Sequence, residues 1–104
     1  MSDWLESGVT VEEIPEGTMR KVSLAGRRLL LVHAEGRVFA CDEMCPHEEV
    51  SLALGCIQGR KIKCSLHGSR FDLESGRVLD EPADENLAVY PVRVEEGRIL
   101  VQPD

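Results

Sequence analysis

Two short clusters of cysteine and histidine stand near the middle of the chain, in the stretch CPHEEVSLALGCIQGRKIKCSLH. The first cluster contains Cys45 and His47, and the second contains Cys64 and His67, so the pattern is C-x-H-x16-C-x-x-H. Thiolates and imidazoles are ligands for zinc, copper and iron centres. The spacing therefore predicts a metal centre built from two loops, each of which supplies one sulfur and one nitrogen ligand.

A zinc site and an iron–sulfur cluster are the two kinds of centre that such ligands can form. Two Cys and two His are a common zinc set, but zinc fingers usually pair Cys with Cys and His with His, whereas each pair here is mixed. The four cysteines are separated by three, ten and seven residues, which does not match a plant-type cluster. A Rieske cluster takes two Cys on one iron and two His on the other, and the pattern meets that demand. A structural zinc module remains the alternative from a different class.

The composition is that of one small globular domain. The chain has 104 residues, of which 42% are hydrophobic and 30% are charged. A chain of this length has room for a single core, so we expect residues 1–104 to form one domain and a monomer. Aromatic residues make up only 4%, so the core must be built mostly from Val, Leu and Ile, which favours strands.

Charge and hydropathy limit the partners and the location. A net charge of −7 argues against a nucleic acid partner, because binding phosphates needs clustered Lys and Arg. The start, MSDWLESGVTVEE, shows no apolar stretch of a signal peptide, and the longest apolar run, 29–32, is far too short to cross a bilayer. We therefore expect a cytoplasmic protein with no membrane partner, whose cysteines are thiols or metal ligands rather than disulfides.

Short β-rich runs alternate with turn signals, and no segment shows a sustained helical period. Strands are expected in MRKVSL, RRLLLVH and RVFAC, separated by Ala25-Gly26 and Glu35-Gly36. Three further hairpins are expected in LGCIQGRKIKC, SRFDLESGRVL and LAVYPVRVEEGRILVQP, turning at Gln58-Gly59, at Glu74-Ser75-Gly76 and at Glu95-Glu96-Gly97. Only PHEEVSLAL is expected to form a helical turn. This pattern predicts an all-β sandwich or barrel of short antiparallel strands.

At the two Cys/His pairs the sequence resembles the Rieske ferredoxins of bacterial oxygenase systems. The resemblance rests on CPH, on CSLHGSRFD, on the G-x-x-x-G-x-x-I-x-C approach to Cys64, on the turn Ser75-Gly76, on Pro82 and on the closing YPVRVEEGRILV. It implies one [2Fe–2S] cluster, a cluster-binding part at about 41–84, and a Rieske fold of three stacked antiparallel sheets with two cluster-binding hairpin loops. The implied ligands are Cys45, His47, Cys64 and His67.

The resemblance also implies a function in electron transfer. The chain would carry single electrons from a flavin-containing NAD(P)H ferredoxin reductase to a terminal ring-hydroxylating dioxygenase in aromatic-compound catabolism. A ferredoxin of a diiron monooxygenase system is the runner-up, and a small subunit of nitrite reductase is a further alternative. The chain itself is not expected to be an enzyme. A Rieske oxygenase needs a second iron on two His and a carboxylate, and only His33 is left for such a site.

The resemblance also concerns several residues around the cluster. The two extra cysteines of respiratory Rieske proteins fall on Val50 and Leu66, so their disulfide is absent. The tyrosine of the family corresponds to Phe71, whereas Ser69 occupies the position of a serine that bonds a bridging sulfide, or is a plain turn residue. Because hydrogen bonds to sulfur raise the potential, we expect a potential in the lower part of the Rieske range, raised somewhat by Ser69. Pro82 would be the rigid element of a loop that covers the cluster.

The remaining polar and sulfur residues have less specific interpretations. Cys41 and Cys56 are expected to be buried packing residues, and His33 is expected to be a strand or surface residue. Acidic side chains lie in a first loop around Cys45 and His47 and in a third loop at Leu79 to Asn86. They form either a solvated face or an electrostatic docking rim, which is interrupted by Arg60, Lys61, Lys63 and Arg70. The acidic residues are Asp42, Glu43, Glu48 and Glu49 in the first loop, and Asp80, Glu81, Asp84 and Glu85 in the third.

Overall fold

The computed structural model describes residues 3–46, 49–66, 68–81 and 83–103. Its strands form three antiparallel sheets, in the orders β1-β10-β9, β2-β3-β4-β8 and β5-β6-β7. The all-β prediction and the three antiparallel sheets are therefore confirmed. The strands are β1 Leu5–Thr10, β2 Met19–Leu24, β3 Arg27–Ala34, β4 Arg37–Asp42, β5 Cys56–Gln58, β6 Lys61–Lys63, β7 Arg70–Asp72, β8 Val89–Tyr90, β9 Val92–Glu95 and β10 Arg98–Val101.

The four-stranded sheet contains the strands that the sequence predicted best. Strands β2, β3 and β4 begin at the predicted residues, and two of them end one residue later than predicted. The turn residues Ala25 and Gly26 have φ angles of 53° and 77°, and Glu35 and Gly36 have φ angles of 52° and 73°. Two consecutive residues with positive φ make a tight turn whose twist matches that of the flanking strands, which is why X-Gly between β-rich runs predicts a hairpin.

Strand β3 separates two hydrophobic clusters. Leu30 and Val32 belong to one cluster, whereas Leu29 and Leu31 belong to the other. Successive side chains of a strand point to opposite faces, so a continuous apolar run marks a strand that is buried on both sides. Here the run is fully buried, which explains why it lacks the usual alternation of apolar and polar residues.

The sheet that contains β1 covers one of these clusters. Strand β1 was not predicted, because its pairing with β10 is interrupted between Glu6 and Thr10 and its alternation is lost there. Within this interruption Gly8 has a φ of 81°, and the Ser7 hydroxyl donates to the carbonyl of Ile99 over 2.8 Å. A β-bulge of this kind re-aims the side chains and hides the strand from a period-two pattern.

Two of the predicted hairpins need correction. The run LAVYPVRVEEGRILVQP is not one hairpin, because β8 pairs with β4 in another sheet and only β9 and β10 pair with each other. Pro91 stands between β8 and β9 and cannot donate a ladder hydrogen bond, so the chain changes sheets there. In the predicted hairpin LGCIQGRKIKC, Gln58 still pairs with Lys61, so the turn is at residues 59–60 rather than at Gln58-Gly59.

The short connections around the three-stranded sheet of β5, β6 and β7 are partly as expected. The predicted helical turn is a 3₁₀ turn at Leu52–Leu54, where the Ser51 hydroxyl accepts from the backbone N–H of Ala53 over 3.2 Å. In the predicted SRFDLESGRVL hairpin the second arm makes only one bridge, between Phe71 and Val78. A further 3₁₀ turn at Val11–Glu13 was not predicted. Within the described ranges, no helix is long and apolar enough to span a bilayer.

Candidate metal centre

Cys45 lies in a loop whose two sides are hydrogen-bonded to each other. The N–H of Cys45 donates to the carbonyl of Val50 over 2.9 Å, and the N–H of Leu52 donates to the carbonyl of Glu43 over 2.7 Å. An isolated antiparallel bridge lies between these two bonds. The two ends of residues 43–52, called here the first ligand loop, are therefore joined to each other as in a hairpin.

Cys64 holds the corresponding place in a second loop. This loop, residues 64–69, connects β6 to β7, and is called here the second ligand loop. The N–H of Cys64 donates to the carbonyl of Ser69 over 2.8 Å, and the N–H of Gly68 donates to the carbonyl of Cys64 over 3.1 Å. Gly68 has a φ of 78°, a left-handed conformation that favours glycine. Each of these two cysteines thus follows a strand, β4 for Cys45 and β6 for Cys64, and lies in a loop that backbone hydrogen bonds close.

The two cysteines turn inward to the same core. Cys45 is 5% exposed and Cys64 is 2% exposed, and both belong to one hydrophobic cluster that also contains Leu52, Ile62 and Phe71. His47 and His67 lie outside the described residues, so their positions stay a prediction. In the part of the chain that is described, no three metal-ligating side chains come together, since it contains only the thiol half of the predicted ligand set.

The surroundings of Cys45 and Cys64 fit the sulfur half of a two-Cys, two-His cluster. The two thiols reach one apolar compartment from two loops, and eighteen residues lie between Cys45 and Cys64 in the chain. Thiolates in a water-poor environment are suitable ligands for iron, and loops that are braced by backbone hydrogen bonds hold their Cα positions. The donor set and its placement are thus compatible with the implied [2Fe–2S] cluster.

The other two cysteines lie in strands rather than in the ligand loops, although Cys41 belongs to the same hydrophobic cluster as Cys45 and Cys64. Cys41 is fully buried in β4, and burial, with a smaller contribution from the neighbouring charge of Asp42, raises the pKa of its thiol to about 12. It therefore stays a neutral packing residue, as predicted. Cys56 was also expected to be buried, and that prediction is wrong, because its side chain is exposed. Strand β5 lies at the edge of its sheet, and only its middle residue, Ile57, packs against the core.

Ser69 is a buried hydroxyl that joins two loops. It is 1% exposed, and its Oγ accepts a hydrogen bond from the N–H of Ala83 over 3.1 Å. Within the described residues this is the hydrogen bond that its hydroxyl makes, which leaves the hydroxyl proton for another acceptor. Phe71, two residues later, is fully buried and brings no hydroxyl to the site.

The loop at residues 79–86, called here the third loop, is fastened to β7. The guanidinium of Arg70 binds Asp80 through both of its oxygens, with Nε–Oδ2 and Nη2–Oδ1 distances of 2.5 and 3.2 Å. The N–H of Leu79 donates to the carbonyl of Arg70 over 2.8 Å. The hydrogen bond from Arg70 lowers the pKa of Asp80 below its ordinary value, so the pair stays ionised. Pro82, the expected rigid element of this loop, lies outside the described residues.

The predicted acidic rim is smaller than the sequence suggested. Glu43 is buried, and Asp42 is half-buried and accepts a hydrogen bond from the Tyr90 hydroxyl over 2.5 Å. Burial, followed by this bond to Asp42, raises the pKa of Tyr90 to about 12. These two carboxylates therefore do not belong to an exposed rim. The exposed acidic residues of the two loops are Glu49, Glu81, Asp84 and Glu85, while Glu48 lies outside the described residues.

Sequence reasoning missed an apolar groove beside the second ligand loop. Leu54 is 71% exposed and Leu66 is 54% exposed, although both are large and aliphatic. Leu54 and Cys64 line the same open groove of about 410 Å³, together with Lys63 and Gly68. The signal for it was weak, because an exposed leucine cannot be told from a buried one by residue type.

His33 is a half-buried strand residue as predicted, and its Nδ1 lies 2.7 Å from a backbone carbonyl.

Comparison with known proteins places this geometry in a family. The model of the Rieske [2Fe-2S] domain matches residues 6–91. The chain is 38% identical over 98 residues to the ferredoxin component of the naphthalene 1,2-dioxygenase system of Pseudomonas aeruginosa, covering 94% of this chain and 93% of that protein.

Two solved structures are similar along the whole length. The ferredoxin of carbazole 1,9a-dioxygenase from Nocardioides aromaticivorans IC177 superposes with a TM-score of 0.92 at 27% identity, covering 99% of this chain and 100% of that one. A chain in a complex of reduced oxygenase and oxidized ferredoxin of carbazole 1,9a-dioxygenase gives a TM-score of 0.90 at 28% identity, covering 100% and 96%. With its two cysteine-bearing loops and this match over most of its length, the chain belongs to the Rieske [2Fe-2S] family.

Proposed function

We propose that this chain is the ferredoxin of a ring-hydroxylating dioxygenase system and carries single electrons to the terminal oxygenase. The relatives named above are ferredoxin components, which are electron carriers rather than the oxidising enzymes themselves. The observation that carries the proposal is that the Cys45 and Cys64 side chains, each from a loop braced by backbone hydrogen bonds, are buried in the same hydrophobic cluster. We infer that residues 1–104 act as one domain in the cytoplasm.

We assign the cluster ligands to Cys45, His47, Cys64 and His67. A Rieske [2Fe–2S] cluster accepts and releases one electron at roughly −150 to +300 mV. The two cysteines would hold it from the core side, where water is excluded, and the two histidines would complete its ligand set. Four ligands on two hairpins that are each closed by backbone hydrogen bonds would keep their places in both oxidation states.

The surrounding residues would set the potential. Phe71 supplies no hydroxyl to a ligand sulfur, and the Ser69 hydroxyl still has its proton to donate, which supports a potential in the lower part of the Rieske range with an upward contribution from Ser69. Ser69 also binds the third loop, and the Arg70–Asp80 pair fastens that loop from the other side. The expected covering position of Pro82 belongs to this proposal.

The two partners follow from the transfer of single electrons. The similar ferredoxin in the carbazole system was solved in complex with its oxygenase, which supports a terminal oxygenase as the acceptor. The proposed donor is a flavin-containing NAD(P)H ferredoxin reductase, since a flavin can take a hydride and pass on its two electrons one at a time.

Iron content, the visible spectrum and voltammetry test the cluster. The protein should contain two irons per chain, show the visible absorption of an iron–sulfur centre, and give a one-electron wave in the lower part of the Rieske range. Cys64→Ser should lose the iron and the wave, because a ligand is removed. Cys56→Ser is the matched control and should keep both, since that side chain is exposed and outside the core.

A colourless protein that contains zinc and gives no wave would overturn the proposed cluster and assign the ligands to a structural zinc site.

The partner is tested separately by mixing the reduced ferredoxin with an oxidised ring-hydroxylating oxygenase in a stopped-flow instrument. Transfer of one electron per ferredoxin is the expected result, and failure to reduce any oxygenase of this class would overturn that part.

A further inference from the structure

Lys63 lies beside the second ligand loop. It is the last residue of β6 and directly precedes Cys64, and it pairs across the sheet with Cys56. Its side chain is half-buried and lies over the loop, because its Cε is 3.3 Å from the place that a Cβ on Gly68 would occupy. Lys63 and Cys64 line the same groove. The positive charge is therefore held close to the proposed ligands.

The other cations of this sheet are compensated by carboxylates. Arg60 lies 3.4 Å from Asp72, and Arg70 lies 2.5 Å from Asp80. Lys61 acts on the same Asp80, since its charge contributes to the lowered pKa of that carboxyl. For Lys63, the described residues provide no carboxylate within ion-pair distance. In a chain with a net charge of −7, this ammonium group is a local exception.

We propose that Lys63 raises the reduction potential of the centre by stabilising its reduced form. The inference rests on the proposed function. On reduction one electron arrives from the reductase, no bond forms or breaks, and the total charge of the site falls by one. A nearby positive charge favours the state with the additional negative charge, and the attraction is stronger where water and salt have limited access.

Midpoint potentials of matched variants test this role. Lys63→Gln should lower the reduction potential. At a fixed applied potential, the ratio of reduced to oxidised protein should then fall roughly threefold, which is the change expected for the loss of one partly screened charge. Lys63→Arg should restore the potential of the unchanged protein, because it keeps the charge. Lys21→Gln is the control, since Lys21 is an exposed lysine of β2, in a different sheet. It should leave the potential unchanged.

The effect of salt adds a second readout. The difference between Lys63→Gln and the unchanged protein should shrink as the salt concentration rises, because mobile ions screen the charge. An equal potential in Lys63→Gln and Lys21→Gln would overturn the proposal, and so would a Lys63→Arg potential as low as that of Lys63→Gln, which would point to packing instead of charge. These outcomes leave the electron-transfer function intact, whereas the absence of any wave in the unchanged protein would overturn both proposals.

Discussion

At the scale of single residues, the four cysteines differ in surroundings more than in sequence context. Cys45 and Cys64 enter one apolar core from two loops, Cys41 is buried within a strand, and Cys56 is exposed at a sheet edge. The reactivity and metal affinity of a thiol depend on its pKa and accessibility, which the surrounding structure sets. One residue type thus occurs in three kinds of surroundings in this chain, namely in the buried part of a loop, inside a strand and at an exposed sheet edge.

The Ser69 hydroxyl gives a prediction at this scale. Ser69→Ala leaves the buried N–H of Ala83 without its acceptor, which should cost about 1–3 kcal/mol of unfolding free energy. If the hydroxyl also donates to a cluster sulfur, the potential should fall by about 40 mV, since a hydrogen bond contributes about 1 kcal/mol and a one-electron shift of about 59 mV is a tenfold change. Urea denaturation and voltammetry measure the two effects.

Ser65→Ala is the control for this experiment, because Ser65 is exposed in the same loop. Both its stability and its potential should equal those of the unchanged protein. A Ser69→Ala variant that loses stability but keeps its potential would show that the hydroxyl only joins the loops.

At the scale of elements, close backbone approaches connect the loops to the sheets. A Cβ on Gly55 would lie 1.8 Å from the carbonyl oxygen of Lys63, and a Cβ on Gly76 would lie 2.0 Å from the carbonyl oxygen of Leu87. Each contact brings a connecting segment against a neighbouring backbone, and the one at Gly55 lies directly before the second ligand loop. Only glycine allows such an approach, so these two residues determine how closely the segments pack.

Gly76→Ala should therefore be strongly destabilising. Gly76 has a φ of +78°, and Gly17 has a φ of +85° with no atom near its added Cβ. Both substitutions carry the cost of a left-handed alanine, about 1–2 kcal/mol, but only Gly76→Ala adds a clash with backbone, which we expect to cost about 1–3 kcal/mol more. Urea denaturation of the two variants isolates the steric part. Equal losses of stability would show that the loop simply moves away.

The elements also show where local sequence is sufficient. The hairpins that turn at Ala25-Gly26 and Glu35-Gly36 were predicted correctly, because two consecutive residues with positive φ determine both the turn and the register of its strands. Strand β1 was missed at its bulge, and β8 was placed in the wrong hairpin, because its partner β4 lies some fifty residues away along the chain. Pairing between distant segments depends on the assembled core rather than on local pattern.

At the scale of the whole molecule, stability should fall in acid. Burial by itself would raise the pKa of Asp72, but the N–H groups of Glu74 and Ser75 and the charge of Arg60 outweigh it, so this pKa is lowered from 3.8. A lowered pKa in the folded state means that the unfolded chain binds protons more readily. This stabilisation is therefore fully present above about pH 5 and is lost as the pH falls through the lowered value.

Urea midpoints measured between pH 7 and pH 3 test this expectation. Asp72→Asn should be less stable at neutral pH and should lose less stability on acidification than the unchanged protein. Asp84→Asn is the control, because Asp84 is exposed and no hydrogen bond or ion pair joins it to another described residue. Its pH profile should match that of the unchanged protein. Parallel profiles for all three proteins would contradict the role of Asp72.

The exposed acidic residues near the ligand loops give a prediction about association. If they form a docking rim, added salt should slow electron transfer to the partner steeply, because steering by charge weakens as the Debye length shortens. The double variant Asp84→Asn/Glu85→Gln should be slower at low salt and less sensitive to salt. Asp3→Asn/Glu12→Gln removes two exposed charges elsewhere and should behave as the unchanged protein does. A flat salt response would remove the docking rim.

The sequence alone determined the features that depend on neighbouring residues. These are the candidate ligand spacing of the two Cys/His pairs, the β-rich runs and the tight turns between them, since each depends on a few adjacent side chains and φ angles. Tertiary structure alone decided which cysteine is exposed, which acidic residues reach the surface, and that Lys63 lacks a carboxylate partner among the described residues. Burial and charge pairing depend on residues that are distant along the chain and become neighbours only when the three sheets pack together.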